Sequence, residues 1–221
     1  MKMMVSRKTR VALSGALLLL CISLFVFQER AANNGDESKT KRMEVSQLIA
    51  DWLLTTKEPR TAMSSMPGSY MNNDAFNKIT SLDIHYIPYL LEWVEKDESL
   101  TSYVMTNAVV RISKVKTKFN YARSHEWLNQ WNDYVKNIVP FTYTTVKSRK
   151  AGTPGLVEQV TDLGAPVIPY IIEDIKSGDL TYAPALAAII NDSDLPKVDD
   201  KEAWRKWALD NEDKYALLKS I

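Results

Sequence analysis

The chain has 221 residues, 45% of them hydrophobic and 25% charged, with a formal net charge of +1. That balance reads as an ordinary globular protein rather than a disordered one, and it supplies no global field for nucleic acid. The length allows one good domain beyond any targeting segment.

Lys2, Arg7, Lys8 and Arg10 make residues 1–10 a basic tail, expected on the cytoplasmic side. An uncharged run from Val11 to Phe27 follows, closed by Gln28-Glu29-Arg30. As a helix it would span roughly 25 Å, at the short end of a bilayer crossing. The pattern also fits a signal peptide. Cleavage after Ala31 or Ala32 would put Glu29 or Arg30 where a small residue is required. Both are poor sites, which favours an uncleaved, single-pass anchor over 11–27, and the flanking charges favour an inside N-terminus and an extracytoplasmic body. Two alternatives stay open: secretion after cleavage, and a lipid anchor on Cys21, which follows Leu20 rather than a small residue. Cys21 is the sole cysteine. No disulfide can form within the folded part, so its stability must come from its apolar core.

Residues 28–42 carry almost no large apolar side chain and predict a flexible tether. A helical domain is expected from 43 to 221. It opens with Val45, Leu48, Ile49, Trp52 and Leu53, spaced as one helix face. The segment 61–72, with Met63, Met66, Pro67 and Gly68, reads as a loop.

An internal repeat follows. Ile79–Val94 and Val160–Ile175 align at a constant offset of 81, with six of sixteen positions identical and four more exchanging aliphatics. Ile87, Leu90, Leu91 and Val94 form one apolar helix face, and Ile168, Ile171, Ile172 and Ile175 repeat it. Pro88 and Pro169 fall in the first turn, where no backbone N–H is needed. Asp83 and Gly164 sit at the preceding break, which suits a turn. A partner stripe follows at Leu100, Val104, Ala108 and Ile112, so each unit is a helix, a turn and a helical hairpin. His85 aligns with Pro166 and is expected on the surface of its helix. The first unit is assigned to 73–137 and the second to 154–215.

Leu163-Gly-Ala-Pro-Val-Ile-Pro-Tyr-Ile-Ile172, followed by Ala185-Leu-Ala-Ala-Ile189, resembles HEAT-like repeat proteins. The first copy keeps Leu82, Ile87-Pro-Tyr-Leu-Leu91 and Ala108 but has Asp83 for the glycine. The similarity covers roughly 75–113 and 156–191. It implies an all-α architecture and a protein-binding scaffold without intrinsic catalysis.

Each copy is followed by a tryptophan pair, Trp127/Trp131 and Trp204/Trp207, on one helix face. Both are expected to close an end of their unit, the alternative being an exposed platform for a glycan or peptide. Between the units, Phe141, Tyr143 and Thr145 alternate and predict an extended segment or short strand over 138–150.

No catalytic, cofactor or metal residue is assigned. Two histidines, His85 and His125, do not make a ligand pair, and neither a nucleophile elbow nor a phosphate-cradling glycine loop is present. Acidic residues Asp192, Asp194, Asp199 and Asp200 read as solvated loop charge, and Asn191-Asp-Ser193 matches a glycosylation sequon. The local asymmetry lies in 111–150. Arg111, Lys114, Lys116, Lys118, Arg123, Lys136, Lys147, Arg149 and Lys150 stand against Glu126 and Asp133 only, nine minus two giving +7. Such a connector could touch anionic lipid or an anionic wall polymer. The leading expectation is therefore an anchored scaffold for a protein partner in the cell envelope. Contact with an anionic surface, or an enzyme with unrecognised carboxylates, remains as an alternative.

Overall fold

A computed structural model describes residues 36–57, 67–96, 99–150, 152–190, 195–197 and 199–219. The chain divides into two units, Met1–Glu44 and Val45–Ile221. The expected anchor over 11–27, Cys21 and the sequon lie outside the described residues. Among the described residues no helix is long and apolar enough to cross a membrane. These residues are helical or irregular, with no strand.

Helix α1 covers 36–56, so residues 36–42 are helical where a tether was expected. In the first unit, Glu37 pairs with Lys41 at 2.7 Å and Arg42 donates to Ser38 at 2.8 Å. These are four-residue pairings that support a helix without an apolar face.

In the second unit, Val45, Ile49 and Trp52 of α1 are buried as the spacing requires. Trp52 donates its indole N–H to the carbonyl of Tyr70 at 2.7 Å. That bond ties α1 to α2 (Pro67–Met71), a short helix inside the stretch expected as a loop. Asn73 caps α3 (Asp74–Thr80) by accepting from Phe76 N. Asp83 starts a 3₁₀ turn, Ile84–Tyr86, by accepting from His85 N, and α4 (Ile87–Lys96) and α5 (Leu100–Ser113) follow. The second stretch has the same order: α8 (Leu156–Thr161), a 3₁₀ turn at Ala165–Val167, α9 (Ile168–Lys176) and α10 (Ala183–Ile190). Ile87, Leu90, Leu91 and Val94 are buried on α4, and Ile168, Ile171, Ile172 and Ile175 on α9.

Between the two stretches lie α6 (Ser124–Asp133), a π-helical turn at Tyr134–Ile138 and α7 (Val139–Lys147). The strand expected over 138–150 is absent. The buried side chains are Val139, Tyr143 and Val146, at helical spacing, whereas Phe141 is 74% exposed. The alternation grouped residues that face different ways. Pro140 accounts for the widened turn before it. In a regular α-helix its ring would meet the carbonyl of Lys136 and offer no N–H, and a π turn relaxes that conflict.

Three of the four paired tryptophans are core. Trp127 and Trp131 are buried and stacked, with centroids 5.2 Å apart, and Phe119 meets both rings. Trp204 on α11 (Lys201–Ala216) is buried and donates to the carbonyl of Lys197 at 3.0 Å, while Trp207 is half-buried. Helix α11 packs on α9, and a terminal 3₁₀ turn (Leu217–Lys219) reaches α4. His85 does not face solvent. Its side chain is 8% exposed, and its ring lies 4.5 Å from that of Tyr215, so α11 covers it.

Glu126 caps α6 by accepting from Ala122 N at 2.9 Å and Arg123 N at 3.2 Å. These two backbone donors hold its carboxyl below the usual carboxylate range. A depressed folded pKa contributes stability above the unfolded value, about 4.3, that is lost as pH falls through the folded value. Glu126→Gln keeps an acceptor but removes the titration. The urea midpoint of the parent should exceed the variant's at pH 6, and the gap should close on acidification below about pH 4. A gap independent of pH would show that the charge has no part in the cap.

Candidate functional site

The cations of the basic connector line two different cavities or none. Three of them meet where α5 ends. Lys114 takes a left-handed conformation, φ 56°, and its N–H bonds the carbonyl of Arg111. That terminates the helix; Val115 and Lys116 then pass the turn after α8, and Phe119 and Asn120 reach α6. Lys116 N donates to the carbonyl of Asp162 at 3.1 Å. Gly164, φ +67°, sits so close that a Cβ would lie 2.3 Å from the carbonyl oxygen of Ser113. Tyr134 donates its hydroxyl to the carbonyl of Leu163 at 3.0 Å, which fixes the same turn from the other side. Burial pushes the Tyr134 phenol up to about 12, so it remains a donor across the physiological range.

This close approach leaves a cavity of about 420 Å³ beside it. Arg111, Lys114 and Lys116 line it together with Thr161, and Val110, Val115, Ala188 and Ile189 supply apolar wall. Lys114 Nζ donates to the carbonyl of Ala188, in the last turn of α10, at 3.3 Å. The guanidinium of Arg111 lies 5.1 Å from the Phe76 ring centroid. Thr161 donates its hydroxyl to the carbonyl of Val157, so the side-chain donors facing the cavity are the three cations. Three helix C-termini converge there, those of α5, α8 and α10, and their carbonyl ends favour cations.

The remaining predicted site residues lie elsewhere. Lys147 pairs with Asp174, and Arg149 reaches Gln159 at 3.4 Å. Lys118, Arg123 and Lys150 are exposed and line neither cavity.

Lys147 belongs to a second, more open cavity of about 440 Å³, lined also by Tyr143, Tyr170, Glu173 and Asp174. Tyr143 donates to Asp174 Oδ2 at 2.6 Å. Burial drives its phenol far above the ordinary range, and the bond and charge of Asp174 push the same way. Glu173 is held by Lys219, whose ammonium lies 4.4 Å from the Tyr170 ring centroid. Each carboxylate thus has its own lysine, and the cluster fastens α7 to α9 and the terminal turn. Sequence reading missed it. Asp174 stands where the first copy has Trp93, and nothing local marks Tyr143 as its donor.

Among the described residues no three His, Cys, Asp or Glu side chains gather closely enough to hold a metal ion. No protein-family model, curated protein or solved structure matches the chain.

Proposed function

We propose that this chain is a binding module of the cell envelope. A HEAT-like helical domain is held at the membrane by the segment 11–27 and faces away from the cytoplasm, with a protein as its partner. The observation that carries the reading is the tandem order of elements. A short helix, a 3₁₀ turn and a helical hairpin occur twice, with Ile87-Pro88 and Ile168-Pro169 opening equivalent helices. Stacked hairpins present extended surface for recognition rather than a reaction chamber. The engagement of Glu173 and Asp174 by lysines supports binding over acid–base catalysis at their cavity. A second reading, attachment to an anionic lipid or wall polymer, is favoured by one observation: Arg111, Lys114 and Lys116 share a rim.

The test is cross-linking of the full chain in its own membranes, followed by capture and identification of the adduct. The chain should resist alkaline extraction, yield to protease added outside the cytoplasmic membrane, and cross-link reproducibly to one envelope protein. Release by alkali, or protection from external protease, would overturn the placement. Cross-links scattered over abundant proteins would overturn the scaffold reading.

A further inference from the structure

The charges on this domain are not distributed evenly. Lys147, Lys176 and Lys219 each sit against a carboxylate, of Asp174, Glu212 and Glu173 respectively. Around the 420 Å³ cavity the pattern breaks: three cations line it and no carboxylate does, among the described residues. Helix ends account for part of this. Arg111 lies in the last turn of α5, and Lys114 bonds a carbonyl at the end of α10. Lys116 adjoins the C-terminus of α8, whose cap carbonyl, that of Asp162, accepts its backbone N–H. Its side chain lines the cavity too. Like charges brought onto one rim repel, and an anion between them would reverse that sign.

We propose that this cavity is a binding subsite for a phosphate ester, with Arg111, Lys114 and Lys116 holding the phosphate oxygens. Val110, Val115 and Ile189 would cover the adjoining organic group. The proposal rests on the second reading, attachment to an anionic lipid or polymer, and names the chemistry of what is bound. A guanidinium fork and two ammonium groups match the several acceptor oxygens of a phosphate. Lys114 spends one donor on Ala188 and keeps two. The volume exceeds that of a bare phosphate and lies within the usual size of small-ligand sites, which is why an ester is specified. Rigidity comes from the backbone rather than from the lysines. The Gly164–Ser113 approach and the Lys116–Asp162 bond fix the segment that carries two of the three cations.

The ester could belong to a soluble or polymeric glycerol phosphate or to a lipid headgroup, and the experiment separates these sources. Full-length protein in an uncharged detergent is titrated calorimetrically with glycerol phosphate, with phosphatidylglycerol in mixed micelles, and with acetate as a carboxylate control. Binding of glycerol phosphate assigns a soluble or polymeric source, and binding of phosphatidylglycerol alone assigns a lipid. In either case the double variant Arg111→Gln/Lys116→Gln should weaken binding roughly tenfold or more. Lys150→Gln, away from the cavity, should change it less than about twofold. All three cations are exposed, so thermal unfolding of the variants should match the parent. Failure of both phosphate probes, acetate binding as tightly as they do, or an indifferent double variant overturns the subsite. Phosphate binding that the double variant leaves intact would lose the subsite but keep the second reading. A partner captured by cross-linking together with any of those failures would leave the binding-module reading standing.

Discussion

Gly164→Ala should be among the most damaging single substitutions in the domain. The residue adopts φ +67° and ψ −158°, a region essentially closed to side-chain-bearing residues. Its Cβ would also fall 2.3 Å from Ser113 O, 2.8 Å from Val115 N and 2.9 Å from Val115 Cγ2. Two of those atoms are backbone and cannot swing aside. The conformational strain alone costs about 1–3 kcal/mol, and separating the two segments adds to it. Gly178→Ala provides the control. It too has a positive φ, +91°, but nothing lies within 4 Å of its Cβ position. It should lose only the conformational part, about 1–2 kcal/mol. Urea unfolding of both variants decides the matter. Equal losses would mean that the close approach of 113–115 to 164 is not part of the stable fold.

The second large effect is in the hairpin cores. Ile87 and Ile168 are fully buried at the starts of α4 and α9. Truncating either to Ala should cost about 2–5 kcal/mol, much of the stability of a domain this size. A surface histidine at 85 would make His85→Ala nearly silent, but the ring is packed against Tyr215. Its loss should cost about 1–3 kcal/mol instead, through lost aromatic packing. Thermal unfolding of the three variants tests this. A silent Ile168→Ala would remove the case for equivalent cores, and a silent His85→Ala would place that ring in solvent.

What the sequence made legible was whatever is written in local spacing. The buried faces of α1, α4 and α9 follow from apolar residues at three- and four-residue intervals, and Pro88 and Pro169 mark helix starts. Between the two aligned stretches lie α6, the π turn and α7, and only the first and last of these have the local spacing of a helix. His85 was misplaced because non-equivalence with Pro166 was taken as exposure, whereas Pro166 is itself buried. Helix at 36–42 was missed because side-chain pairing, not an apolar stripe, accompanies it. The charge of the connector was plain, but its division was not. Which cations share a cavity depends on the left-handed Lys114 and the contact at Gly164, and both are tertiary facts.

The packing of Tyr215 on His85 also bears on how the molecule is made. These residues are 215 − 85 = 130 positions apart, and the 3₁₀ turn just after Tyr215 reaches α4. An open stack of helical pairs can condense from its first pair onward, since each pair needs only its neighbour. Here the first hairpin is finished by residues synthesised long after it. At about 5–20 residues per second, that leaves roughly 7 to 26 s between the appearance of His85 and of its cover. Contacts this remote in sequence slow folding, because a long loop must close before they form. Throughout that interval the face of the first hairpin that Tyr215 and the terminal turn cover would stand without its lid.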